Sequence, residues 1–169
     1  MSKDFADLAD AASKLAAIVT IKPDLVISIQ PNGALIAQFI ATKFGIPLSA
    51  AIIDRSNIND PASVDLSLDD VDSSVSVLVV DDAVETGQAA MAVGIALRTR
   101  GFTNLSLAVP ICPRESAYQL GQIYSRIDAV VKPMARRSLT WHYDLTPATT
   151  DAEAQAIIET YQQGNDQTR

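Results

Sequence analysis

The feature that most constrains this chain is a series of short apolar runs, each followed by a stretch with helical spacing. "DLVISI" (24–29), "VSVLVV" (75–80) and "LSLAVPI" (105–111) are rich in β-branched residues and largely apolar on both faces. Such runs suit strands covered on both sides in a parallel sheet. "IPLSAAIID" (46–54) and "AVVKP" (129–133) read as further strands.

The intervening segments carry helical periods. Phe5, Leu8, Ala12, Leu15 and Val19 recur every three or four residues and predict a first helix with these residues on one stripe. "ALIAQFIATKFG" predicts a second that stops at Gly45; Thr86 to Arg100 predicts a third closed by Gly101; Arg114 to Tyr124 and Thr150 to Gln162 predict two more. The polar, acidic segment 55–74 reads as a loop or short hairpin.

Alternation of this kind predicts an α/β fold, with a central, mostly parallel twisted sheet of about five strands and helices on both faces. At 169 residues the chain fits one domain spanning 1–169. "MARRSLTWHYDLTP" breaks the alternation and predicts a small C-terminal hood or cap among the elements of 105–165.

Charge and cysteine content narrow the function. A formal net charge of -7 opposes a broad nucleic-acid or anionic-lipid footprint, which needs clustered Lys and Arg. Cys112 and His142 are each the only residue of their type, so neither an intramolecular disulfide nor a Cys/His zinc cluster is expected. Asp4, Asp7, Asp10 and Lys14 interrupt the apolar residues at the start, and no segment is apolar and long enough to span a bilayer. A soluble, cytoplasmic protein is the expectation.

Chemistry concentrates in "VLVVDDAVETGQA" (77–89). Asp81 and Asp82 follow the strongest strand, at the edge of the sheet where ligands of such folds bind. Two carboxylates there can accept from hydroxyls or hold a hydrated cation. Beyond them a turn opens into a helix, whose first N–H groups and dipole favour an anion. Thr86 adds a hydroxyl, and Gly87 permits close approach. Acceptors and donors in this order suit a sugar phosphate. The alternative is solvated strand-end aspartates with Thr86 as a helix cap.

This stretch resembles the phosphoribosyl-pyrophosphate (PRPP) signature of type I phosphoribosyltransferases. The resemblance implies that Asp81 and Asp82 hold ribose hydroxyls and Mg²⁺, directly, through water or through PRPP. It places the 5-phosphate on the loop Ala83, Val84, Glu85, Thr86, Gly87, Gln88 and Ala89, and Glu85 near the acceptor, with a role in proton transfer. The implied partners are PRPP or a nucleoside monophosphate and a small base acceptor, in a homo-oligomer, expected to be a homodimer. "AVPICPRES" and "TWHYDLTP" also resemble elements of a group of bacterial predicted phosphoribosyltransferases.

The chain departs from that family in several places. Ala89 stands where the family usually has Thr or Ser. Its pyrophosphate loop, often Arg-Gly-Gly, corresponds to Gln30, Pro31, Asn32 and Gly33, without a basic residue; an ordinary glycine turn reads equally well there. No Lys or Arg occurs from Ser56 to Ser74, where the family closes a cationic loop over the ribose, and Arg55 is the nearby candidate. Arg114, Arg136, Arg137 and Lys132 are further candidates for leaving-group stabilisation, although each also suits a solvated surface. Following the paired arginines in sequence, Trp141, His142 and Tyr143 either form a cap in which an aromatic stacks on a bound base or staple the tail to the core. His142 alone carries no catalytic role.

Two other classes fit poorly. "VLVVDD" and "VVKP" resemble parts of a response-regulator receiver, but the acidic pair comes eighty residues into the chain and "LAVPI" ends without a phosphoacceptor Asp. Gly-Lys-Ser/Thr of a P-loop is absent. The remaining rival is a non-catalytic PRPP or nucleotide sensor of the same fold.

Overall fold

The computed structural model describes residues 2–56 and 63–167. A single sheet has the order β3-β2-β1-β4-β5-β6, formed by β1 Leu25–Ile29, β2 Leu48–Asp54, β3 Ser63–Leu66, β4 Val77–Val80, β5 Leu105–Ile111 and β6 Arg126–Val131. All neighbours are parallel except β2 and β3. The sheet therefore has six strands rather than about five. The addition comes from the hairpin alternative for 55–74: β3 pairs antiparallel with β2, Ala51 opposite Leu66 and Ile53 opposite Val64. Its apolar residues alternate with Ser63 and Asp65, so one face packs while the other stays wet.

Alternation along the central strands divides the core between the two faces. Leu25, Ile27, Ile29, Val77 and Val79 pack with Val93, Leu97, Phe102 and Leu120 on one side. Val26, Leu48, Leu78 and Val80 pack with Leu15, Ile36, Ile40 and Ile158 on the other. The helices are α1 Leu8–Ile18, α2 Ala34–Phe44, α3 Gln88–Thr99, α4 Arg114–Leu120 and α5 Asp151–Asp166.

Helix ends differ from the sequence expectation where local chemistry intervenes. Asp7 caps α1, accepting from the Asp10 N–H at 2.9 Å, which leaves Phe5 ahead of the helix in an isolated bridge with Tyr143. The expected start of α3 at Thr86 moves to Gln88, because Gly87 has φ 85° and a left-handed residue cannot continue a right-handed helix. Helix α4 ends at Leu120 rather than Tyr124. Thr150 caps α5, accepting from the Glu153 N–H at 3.1 Å.

The strand order places β1 and β4 side by side, with Ser28 opposite Val80. From β1 the chain crosses through α2 to β2; from β4 it crosses through α3 to β5, in the opposite direction. The two loops therefore diverge and leave a crevice beyond the carboxyl ends of β1 and β4.

Candidate functional site

That crevice is a cleft of about 420 Å³. It is lined by the loop after β1 (Gln30, Pro31, Asn32), by every residue from Asp81 to Ala90, and by Ile29, Ile53, Arg55 and Leu139. Residues remote from one another in sequence thus share one wall system.

Gly33 explains how the two loops come so close. A Cβ built there would lie 2.6 Å from the Ile29 carbonyl oxygen, 2.8 Å from that of Val80 and 3.2 Å from the Asp81 Cα. Only a residue without a side chain fits against both strand ends. The Gln30–Pro31 peptide is cis, the Gln30 side chain bonds to the Ser28 hydroxyl at 3.0 Å, and Asn32 Oδ1 accepts from the Thr149 N–H at 2.9 Å.

At the end of β4, Asp81 is half-buried and Asp82 is only 6% exposed. The Asp82 N–H donates to Asp81 Oδ1 at 2.8 Å. Burial, and then the neighbouring Asp82 charge, hold the Asp81 carboxyl well above the ordinary carboxylate range, while Arg55 opposes the shift. Asp82 is also raised by burial, against hydrogen bonds that include Asp81 and Asn32. Two like charges in one enclosed corner disfavour joint ionisation. Asp82 Oδ2 is buried with no hydrogen-bond partner among the described residues, and a buried acceptor left unpaired is costly.

Hydroxyls or a hydrated cation would satisfy that oxygen, so the donor set fits Mg²⁺ held partly by substrate and water. Among the described residues no group of three or more His, Cys, Asp or Glu could hold a metal by itself. Asp81 and Asp82 would supply part of such a coordination shell, not all of it.

The loop expected to take a phosphate offers the cleft main-chain groups. The Val84 N–H is used, donating to the Ile111 carbonyl at 2.8 Å. In contrast, the N–H groups of Glu85, Thr86, Gly87, Ala89 and Ala90 have no acceptor among the described residues, and that of Gln88 reaches only the Thr86 hydroxyl at 3.4 Å. Unpaired donors at the start of a helix suit an anion.

Glu85 is exposed, and its Oε1 accepts from the Leu139 N–H at 3.2 Å. Arg55 is the one cation among the described residues lining the cleft. Arg114, Lys132, Arg136, Arg137 and Trp141 are exposed and outside the lining. Arg136 reaches the Ser116 hydroxyl and Glu115, each at 3.2 Å; Arg137 lies over the Trp141 ring at 4.9 Å. Within the loop from Ser56 to Ser74, the expected closing segment, residues 57–62 lie outside the described residues.

The tail crosses the cleft's rim through a short 3₁₀ turn, Leu139–Trp141. Of its aromatics, Tyr143 serves as the staple: it is fully buried, and its hydroxyl donates to the Asp82 carbonyl at 2.9 Å. Ile53, Leu139 and this Tyr143 contact had no distinguishing sequence signal, since an isolated apolar residue does not announce which cavity it lines. Tyr143 belonged to an aromatic cluster whose two roles, cap or staple, only packing separates.

The family model for the phosphoribosyl transferase domain matches residues 3–139. Among solved structures, the protein TT1426 from Thermus thermophilus is similar in fold, with a TM-score of 0.75 at 18% identity, covering 93% of this chain and 98% of that one. APRTase from Giardia lamblia, complexed with 9-deazaadenine, has a TM-score of 0.62 at 16% identity, covering 74% and 78%. A hypothetical protein from Neisseria gonorrhoeae with bound ppGpp has a TM-score of 0.51 at 17% identity, covering 95% and 98%. No curated protein matches the chain.

Proposed function

This chain belongs to the phosphoribosyl transferase domain family, and we propose that it transfers phosphoribosyl from PRPP, with Mg²⁺, to a nitrogenous base or related acceptor. The observation that carries the reading is the union, in one cleft, of the Asp81–Asp82 pair with the N–H groups of Glu85, Thr86, Gly87, Ala89 and Ala90, which have no acceptor among the described residues. Carboxylates and N–H donors in one cleft match the hydroxyls and the phosphate of one ribose phosphate.

In this mechanism the loop after β4 binds the 5-phosphate through its main chain. Asp81 and Asp82 accept from the ribose hydroxyls and orient the ring, and these bonds strengthen as positive charge develops on the sugar. The bond from ribose C1 to the pyrophosphate oxygen breaks, a bond from C1 to the acceptor nitrogen forms, and Glu85 takes the proton that nitrogen loses. Arg55 and Asn32, both in the cleft lining, face the departing group. Asp81 and Asp82 would hold Mg²⁺ together with substrate oxygens, and the ion would supply neutralising charge for the leaving pyrophosphate.

A non-catalytic nucleotide sensor is the second reading. It is favoured by the Neisseria gonorrhoeae protein with bound ppGpp, which aligns along 95% of this chain, and by the single cation in the described cleft lining. A cytoplasmic homodimer accompanies either reading as a proposal; no helix among the described residues is long and apolar enough to cross a membrane.

The deciding experiment incubates the protein with PRPP, Mg²⁺ and a panel of purines, pyrimidines and related acceptors and reads pyrophosphate release. Release that requires both an acceptor and the Asp pair supports the transferase. Binding of PRPP or ppGpp with no release from any acceptor supports the sensor.

A further inference from the structure

We infer that Tyr143 is a positioning residue for this cleft: its buried hydroxyl fixes the Asp82 carbonyl and thereby the backbone from which both the carboxylates and the N–H donors depart. The inference rests on the reading of the cleft as a phosphoribosyl site and adds a residue outside the 3–139 span that the family model matches.

The need for such a residue comes from the end of the ladder. Pairing of β4 with its neighbours stops at Val80, opposite Ser28 and Ala108, so the Asp82 carbonyl has no adjoining strand to accept from. Two anchors hold the departing chain on one side: the Val84 N–H on Ile111 and the Asp82 N–H on Asp81. On the other side Tyr143 supplies the donor, at 2.9 Å. A carbonyl free to rotate would carry its peptide, and with it the direction of the next N–H groups.

Tyr143 is itself held by the start of the chain. The Phe5 N–H donates to the His142 carbonyl, and the Asp144 N–H donates to the Phe5 carbonyl, both at 2.9 Å. The Phe5 and Tyr143 rings lie 5.2 Å apart. Lys3 Nζ donates to the Tyr143 carbonyl at 3.0 Å, and Asp4 bonds to His142 Nδ1 at 2.7 Å. Both flanks of the tyrosine are thus tied down, leaving the phenol no alternative direction.

The test compares Tyr143→Phe with Tyr161→Phe. Tyr161 also donates to a main-chain carbonyl, that of Ile46 at 2.6 Å, but on α5 and outside the cleft lining. Both variants lose one hydroxyl and keep the ring. Relative to Y161F, Y143F is expected to speed amide hydrogen exchange at Asp82 and Val84 about fivefold or more, with exchange in β6 unchanged, as loss of one hydrogen bond implies. With PRPP and Mg²⁺ as probe, its affinity is expected to fall about tenfold while that of Y161F matches wild type. Equal exchange at Asp82 and Val84 in the two variants overturns the inference, as does unchanged PRPP affinity in Y143F. Should wild type bind no PRPP, the phosphoribosyl reading fails separately, and the exchange comparison alone decides whether Tyr143 positions the loop.

Discussion

Gly33 packs so tightly against Val80 that a side-chain carbon on the glycine would stand 2.8 Å from the Val80 carbonyl oxygen. The loop after β1 and the acidic pair after β4 are therefore registered by contact between two strand ends, beside the Asn32 side chain that bonds to Asp82.

Gly33→Ala is expected to push these loops apart. Overpacking of this kind costs about 1–3 kcal/mol, and the cleft absorbs the displacement directly because the obstructing atoms are main chain. Denaturant unfolding should show the loss, with PRPP affinity reduced beyond what the stability change explains. A variant as stable as wild type with normal affinity would contradict the close packing.

Gly87 presents a different constraint. A Cβ there meets nothing closer than Leu120 at 3.8 Å, but the backbone has φ 85°. Gly87→Val places a β-branched residue in a region that costs ordinary residues about 1–2 kcal/mol, and its relief rotates the N–H donors. Titration with phosphate or a nucleoside monophosphate should find no binding; unchanged affinity would remove the loop from the anion site.

The aspartates yield a prediction with opposite signs for stability and function. Asp81→Asn with Asp82→Asn should lower turnover by orders of magnitude while the fold survives, since transition-state contacts are lost. The single Asp81→Asn should raise the melting temperature at neutral pH. Its folded-state pKa lies above the unfolded value, so wild type gains stability as pH falls through the folded pKa and carries the full penalty above it. The excess stability of D81N is thus expected at pH ~7 and should shrink as pH falls toward the ordinary carboxylate range, about 4. An excess that stays constant over that range would rule out the raised carboxyl.

Arg55→Met should weaken PRPP binding, because the variant removes the one cation in the described lining, and raise the Asp81 carboxyl further by removing the charge that opposes its shift. Calorimetric titration at two salt concentrations measures the first effect, expected to be larger at low salt; carboxyl carbon NMR measures the second. No change in either would place the guanidinium away from the aspartates.

Phe5→Ala removes a fully buried ring that contacts Tyr143 and should cost about 3–5 kcal/mol. Thermal unfolding checks this. A cost near zero would mean that the start of the chain does not clasp the tail.

Much of the architecture was legible before folding because its signals are local. β-branched runs at 24–29, 75–80 and 105–111 identify strands whatever surrounds them, and Gly45 and Gly101 mark helix ends by their left-handed conformation. The Asp81 to Ala89 segment is equally local: strand, acidic pair, turn and helix follow one another along the chain, so the acceptors and donors of the cleft could be named from their order.

What tertiary structure decided is everything that depends on distance between remote segments. Arg55 lies in the cleft lining while Arg114, Arg136 and Arg137 do not, a distinction that four exposed arginines do not carry in sequence. Gly33 is an ordinary turn glycine until β1 and β4 are adjacent, when two carbonyl oxygens leave it no room for a side chain. Tyr143 and Trp141 stand two positions apart, yet one is buried against Asp82 and the other is 62% exposed beside Arg137. Strand and helix periods come from the short-range geometry of a single backbone, whereas these assignments come from which surfaces the sheet order brings together, and side chains of the same type differ there only by what lies opposite them.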